Sequence, residues 1–404
     1  MKDLHVGYAV VGALAVVLAA LSSKIRQLPF SEPLLALVVG VVVGPEVLGW
    51  IRVPEGDRSS LVLEGGRALL AVSLIGVALR FPVRRLRAVL SPTVALVTVG
   101  MLGMAALSAG LAWLTLGVPL SLALLVGACI SPTDPVLASS VVTGKPAEKH
   151  LPTRLRQLLS MESGTNDGLA LPLVLVGIAV VVGDTVGSSL RDGAYQIGVG
   201  VLVGLVVGAL AGRAVSYALS RSDVDPGSSL VFTLVLAFAV LGITRVLQAD
   251  GVLSVFVAGL AYNYVVAEDE VGPQNTIDEG INRYLVLPLF LVLGVELPWS
   301  EWGEFGWGAV LLPLGVLVLR RLPVVLALAR PLGLRWRDAV FLGWFGPIGV
   351  SALFYLTFSE DEGVLDPRLW AAGSLVVAAS TVVHGVTSAP GRLLYRRVAG
   401  EPGD

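Results

Sequence analysis

Charge is scarce in this chain, cysteine nearly absent, and no long polar stretch interrupts it. Of 404 residues only 14% are charged while 55% are hydrophobic, and the mean hydropathy is +0.83. A water-soluble chain of this length could not hide that much apolar surface, so the composition points to a membrane protein with many spans. The single cysteine, Cys129, excludes an internal disulfide and any cysteine-based metal centre. Its place in an apolar run marks it as core. No basic tail suggests nucleic acid as a partner. Residues 1–5 are too short and too weakly charged for a signal-peptide n-region, and no A-x-A site follows the run 6–22, so that run reads as a retained first span.

What is present is a series of apolar runs. A helix needs about 20 residues to cross a bilayer, which divides the chain into about thirteen spans and makes it an all-α polytopic protein. They fall near 6–23, 33–50, 66–80, 91–116, 120–142, 157–182, 195–219, 228–248, 251–267, 279–297, 304–329, 337–358 and 369–390. The whole chain, 1–404, reads as one transmembrane domain ending in a short tail, 391–404. Loops after odd-numbered spans carry Lys24 and Arg26, then Arg80, Arg84, Arg85 and Arg87, then Lys145, Lys149, Arg154 and Arg156, then Arg221, Arg330, Arg335 and Arg337, and finally Arg392, Arg396 and Arg397. The other side carries fewer basic residues and the acidic run Glu360-Asp361-Glu362. By the positive-inside rule the C-terminus is expected in the cytoplasm and the N-terminus outside the cell membrane.

Two pairs of similar segments lie seven spans apart. Leu74-Ile75-Gly76-Val77-Ala78-Leu79 resembles Val292-Leu293-Gly294-Val295-Glu296-Leu297, and the break at Ser131-Pro132-Thr133-Asp134-Pro135 has a counterpart at Gly346-Pro347-Ile348-Gly349. An odd offset reverses direction across the membrane. The expectation is therefore two inverted six-span repeats, 1–182 and 228–390, joined by the span 195–219, with interrupted helices at matching positions as in transporters.

The chemistry concentrates between Ser131 and Asp167. Pro132 and Pro135 each remove a backbone donor and clash with the preceding turn, so no regular helix runs through Thr133 and Asp134. Free carbonyls at membrane depth are tolerated only against protein or a water-filled cavity. A carboxylate beside such carbonyls suits a small alkali cation, a role compatible with Asp134 also capping the following half-helix. In the sixth span, Ser163 and Asp167 stand four residues apart and share a face, as do Glu162 and Asn166 on the adjacent one. A buried carboxylate is costly in a membrane and usually marks an ion or proton path. One residue that binds a proton or a cation, never both, is the minimal device for exchange. Arg320 and Arg321 need a counter-charge or a route to the interface; one is expected to snorkel and the other to pair with Glu162. His384, deep in the last span, reads as a packing residue.

Taken together, Ser131-Pro132-Thr133-Asp134-Pro135 and Glu162-Ser163-Gly164-Thr165-Asn166-Asp167-Gly168 resemble the paired signature of the sodium/proton exchangers of the monovalent cation:proton antiporter superfamily, in its Asn-Asp, NhaP-like branch. Gly346-Pro347-Ile348-Gly349-Val350-Ser351 and His384-Gly385-Val386-Thr387 are similar to the same family's later motifs. The resemblance implies an inverted-repeat fold with crossed broken helices, a moving core, a dimerisation domain and an elevator-like motion. It implies Asp167 as the principal carrier, with Asp134, the Thr133 backbone and Ser163 as further ligands of Na+ or Li+. Glu162 would pair with Arg320, and Asn166 would stabilise the crossing. The Asn-Asp pair implies one cation exchanged for one proton, by a homodimer in a lipid bilayer, with no cofactor. The sequence departs from the pattern twice: residues 67–79 hold no carboxylate, and Ile348 stands where many exchangers carry arginine.

Three competing readings stand beside Na+/H+ exchange. K+/H+ exchange uses the same ligand types, and cavity size decides between them. A passive cation channel would need no proton coupling. An intramembrane aspartyl protease would also place two Asp in adjacent spans, but a proline-broken segment is a poor place for a rigid dyad.

Overall fold

The computed structural model describes residues 2–20, 31–54, 57–81, 86–221, 228–266 and 274–399. Lys24, Arg26, Arg84 and Arg85, which carry part of the orientation argument, lie outside the described residues, as do residues 400–404 of the expected tail. Every regular element among the described residues is helical; each expected span overlaps one helix or two halves of one, and the short helices Gly144–His150 and Trp299–Glu304 lie between spans.

The order is α1 (Lys2–Ala20), α2 (Glu32–Val43), α3 (Asp57–Arg80) and α4, which comprises Leu86–Ala95, a π-helical turn Leu96–Gly100 and Met101–Leu116. Then come α5a (Leu120–Cys129), α5b (Pro135–Val142), α6a (Thr153–Leu169) and α6b (Leu171–Val182). The middle of the chain forms α7 (Val186–Ser220), α8 (Ser228–Val246), α9 (Gly251–Val265) and α10 (Gln274–Val295). Last are α11 (Gly308–Gly315, a π-helical turn Val316–Arg320, and Leu322–Leu328), α12a (Trp336–Trp344), α12b (Val350–Asp361) and α13 (Pro367–Ala399).

Local chemistry sets most of these limits. Gly117 and Gly183, at φ 63° and 86°, end α4 and α6b in the left-handed conformation that glycine adopts without steric cost. Asp134 and Asp250 cap α5b and α9 with their side chains, and Pro135 occupies the first turn of α5b, where a missing N–H costs nothing. Several limits differ from the sequence reading, α7 for instance starting at Val186 and not 195, and three of the differences have a visible cause. α2 stops at Val43, because Gly44-Pro45 turns the chain back and the amides of Trp50 and Ile51 donate to the Val43 carbonyl. α3 starts at Asp57, since its polar first turns find partners: Arg58 pairs with Glu360 at 2.8 Å and lies over the Trp370 ring. α13 runs through Pro390 to Ala399, so 391–399, expected as tail, is helix.

Packing separates an interior from a periphery. Every residue of α12b from Val350 to Ser359 is buried, as is α3 from Leu69 to Leu79. α7 is largely exposed along one side and applies the other to α9. There Gly200, Gly204, Gly208 and Gly212 each face the α9 backbone or a Val265 side chain so closely that a Cβ would collide. Small residues spaced by four permit this approach, which suits helices in lipid, where close van der Waals packing drives association.

Candidate ion-binding site

The broken helices meet at their gaps. The Asp134 amide donates to the Pro347 carbonyl at 2.9 Å, tying the first break to the second. Four helix ends therefore point at one region: the carboxyl ends of α5a and α12a, which carry negative partial charge, and the amino ends of α5b and α12b, which carry positive. One side chain answers each pair. The Asp134 carboxylate accepts from Leu137 N at 2.9 Å and Ser351 N at 3.4 Å, and also from Val350 N, so it caps both amino ends. Arg320 serves both carboxyl ends, Nη1 donating to the carbonyls of Ile130, Ser131 and Pro132 at 2.9, 2.9 and 3.3 Å and Nη2 to Gly346 at 2.5 Å.

Two expectations change here. The carbonyls read as free beside Pro132 are held by Arg320, because a buried cation and orphan carbonyls satisfy one another. Glu162 pairs with Arg321 and not Arg320: Nη1 reaches Oε1 at 2.5 Å and Nη2 reaches Oε2 at 2.8 Å. The reason lies in α11. Its π-helical turn ends at Arg320, so the two arginines leave an irregular turn in different directions, one toward the crossing and the other toward α6a. Neither snorkels; each is 2% exposed.

α6a crosses beside the gap and carries the polar cluster. Asn166 is the clasp: its Nδ2 donates to Thr133 Oγ1 at 2.8 Å and to Glu162 Oε1 at 3.3 Å, while its Oδ1 accepts from Thr133 N at 3.4 Å. Thr133 Oγ1 donates to Ser163 Oγ at 3.3 Å, and Ser163 donates to the Leu159 carbonyl at 2.8 Å. A cavity of about 10 Å³, room for about one water, borders Ser163 and is lined by the further hydroxyls of Ser139, Thr143 and Ser160.

Asp167 differs from all of these. It is fully buried, and neither carboxylate oxygen has a hydrogen-bond partner among the described residues. Its backbone carbonyl accepts from the Tyr355 hydroxyl. An unpartnered buried carboxylate is expensive, a cost that a bound proton or cation would relieve.

Sequence reasoning missed two residues. Ser351, in the first turn of α12b, has a buried hydroxyl without a partner among the described residues and sits beside Asp167; the glycine motif contained it without announcing a role. Asp250, read only as a separator between spans, is buried near the same stretch of α6a. His384 is a packing residue as expected, its Nδ1 3.0 Å from the Ser380 carbonyl and its Nε2 3.0 Å from that of Trp344. Cys129 is buried, with its Sγ 3.7 Å from Ser359 Oγ.

The model of the transmembrane region of sodium/hydrogen exchangers matches residues 12–391. The chain belongs to the sodium/hydrogen exchanger family. This exchanger-family chain is 34% identical over 379 residues to Na(+)/H(+) antiporter 2 of Zygosaccharomyces rouxii, a match covering 89% of the chain and 46% of that protein. It is 33% identical over 375 residues to a Na(+)/H(+) antiporter of Saccharomyces cerevisiae, covering 89% and 38%. The chain thus spans less than half the length of these two relatives. Its fold is similar to that of the sodium proton antiporter of Methanocaldococcus jannaschii, with a TM-score of 0.76 over 99% of this chain and 100% of that one at 17% identity.

Proposed function

We propose that this chain exchanges Na+ or Li+ for H+ across the cell membrane, one for one, with cation and proton competing for Asp167. The observation that carries the reading is the fully buried Asp167 carboxylate, with both oxygens free among the described residues. Asp167 is the one carboxylate at the crossing with both oxygens unpartnered among the described residues. Asp134 caps two helices, Glu162 is neutralised by Arg321, and Asn166 clasps the Thr133 segment. Ser163, four residues before Asp167 on α6a, and the Thr133 hydroxyl bonded to it would supply hard oxygen ligands of the kind an alkali cation takes, and Asp134 adds negative charge. Names carried by the yeast relatives, Na(+)/H(+) antiporter in both cases, support the same assignment.

The mechanism is alternating access. A cation at Asp167 is released when the site faces the other side, and a proton takes its place for the return. The breaks in α5 and α12 and the π-helical turns in α4 and α11, each recurring seven helices apart, support two inverted halves, 1–182 and 228–390. We place the C-terminus in the cytoplasm and take a homodimer as the working unit, with a core domain that carries the crossed broken helices moving as an elevator against a dimerisation domain.

Proteoliposomes provide the test. An imposed Na+ gradient should drive counter-movement of protons that Asp167→Asn abolishes. Cation flux without proton movement would overturn the proposal in favour of a channel, and proton movement driven by K+ alone would reassign the cation.

A further inference from the structure

Asp250 stands at the start of α9 and has one more oxygen than its structural task uses. Its Oδ1 accepts from Val252 N at 2.9 Å and Leu253 N at 3.2 Å and so caps the helix. Its Oδ2 is buried and has no partner among the described residues, and the residue is only 6% exposed. A cap needs a single acceptor, which Ser, Thr or Asn supplies without burying a charge. The second oxygen and the charge are therefore surplus to the fold, and a buried charge without a partner is costly.

That oxygen is aimed at α6a immediately beyond the carrier. A Cβ built on Gly168 would lie 3.1 Å from Asp250 Oδ2, so the carboxylate sits against the backbone of the residue following Asp167. The other charged groups around it are accounted for. From α3, Arg67 is paired with Glu64 and lies over the Phe354 ring at 5.5 Å. From α8 comes the partly exposed Arg245, and neither arginine forms an ion pair with Asp250 among the described residues. α7 contributes only a neutral contact, the Gln196 carbonyl, which accepts from Asp250 N at 3.2 Å. α12b contributes Tyr355, whose hydroxyl is committed to the Asp167 carbonyl.

We propose that Asp250 is a second station for the transported monovalent cation, its free oxygen holding the ion beside Gly168 before or after it occupies Asp167. The inference rests on the antiport reading for its physiological meaning, but its binding test does not. Asp250 and Asp167, each with a free buried oxygen on neighbouring helices, form two successive anionic sites.

Binding of radiolabelled Na+ to the purified full chain decides the matter. Asp167→Asn should retain one saturable Na+ site, about tenfold weaker than wild type, and the double variant Asp167→Asn/Asp250→Asn should lose it. Asn keeps the α9 cap, so the unfolding temperature should hold; if Asp250→Asn does not fold, Asp250→Ser keeps one acceptor and takes its place. No binding in Asp167→Asn, or binding that survives in the double variant, overturns the station. Two-site binding in a wild type that moves no protons would sink the antiport reading alone, whereas exchange in wild type with no residual site in Asp167→Asn would sink the station alone.

Discussion

Arg321 grips Glu162 with both terminal nitrogens, at 2.5 and 2.8 Å, while its Nε donates to the Leu342 carbonyl at 2.9 Å. Neither side chain is more than 2% exposed. Breaking one side of such a pair strands the other charge, at a cost of about 3–5 kcal/mol. Glu162→Gln and Arg321→Gln should each lower the unfolding temperature in detergent by a margin of that order. The double variant should lose less than the sum of the two, because no charge is left stranded; simple additivity would show that the pair is not coupled.

Arg320 reaches four carbonyls on two helix ends because its planar fork presents several donors at fixed angles. Lysine concentrates its donors at one point and cannot span both ends. Arg320→Lys should therefore behave like Arg320→Gln, with stability lowered by about 2–3 kcal/mol and proton exchange largely lost. A lysine variant as stable and active as wild type would mean that the bridging is dispensable.

Gly349 precedes α12b at the crossing, where a Cβ would stand 2.6 Å from Leu137 Cδ1 and 2.7 Å from Asp134 Oδ2. Gly349→Ala should push α12b away from Asp134 and remove its cap. Thermal unfolding should report a loss of about 1–3 kcal/mol, and exchange in proteoliposomes should fall with it.

Ser351 is tested by removing only its hydroxyl. Its amide, which contacts Asp134, survives in Ser351→Ala. The apparent KM for Na+ should rise about three- to tenfold while the unfolding temperature stays near that of wild type, the signature of a lost ligand and not of a lost fold. An unchanged KM would remove Ser351 from the site.

The proposed competition at Asp167 would fix the sign of the pH dependence. A lower pH loads the carboxylate with protons and leaves fewer sites for the cation. Below the apparent pKa the KM for Na+ should rise about tenfold per pH unit, and saturating Na+ should restore the maximal rate. A maximal rate that falls with pH at saturating Na+ would show that proton and cation do not share one site.

Much of this was legible in the sequence because it depends on covalent chemistry close at hand. Pro132, Pro135 and Pro347 lack the backbone donor that a helix interior needs, and Asp134 beside Pro135 is a capping residue by type. Asp167 declares itself by being a carboxylate in the middle of an apolar run. The lower limit of α3 was not legible, since its polar first turns are stable only through Glu360 and Trp370, some 300 residues away.

What the sequence determined by itself, then, is a membrane bundle with two broken helices and a carboxylate, Asp167, set within an apolar run. Tertiary structure alone decided who meets whom. Arg320 and Arg321 are chemically identical neighbours, and only the π-helical turn of α11 sends one to the carbonyls and the other to Glu162. Asp134 could be ligand or cap until the amides of Val350 and Ser351 arrived from α12b to occupy its second oxygen. Asp250 had no visible link to Asp167 until α9 packed its first turn against Gly168. Helix breaks are properties of the local backbone. A side chain's partners depend on how distant helices are rotated and stacked, which no short stretch of sequence specifies.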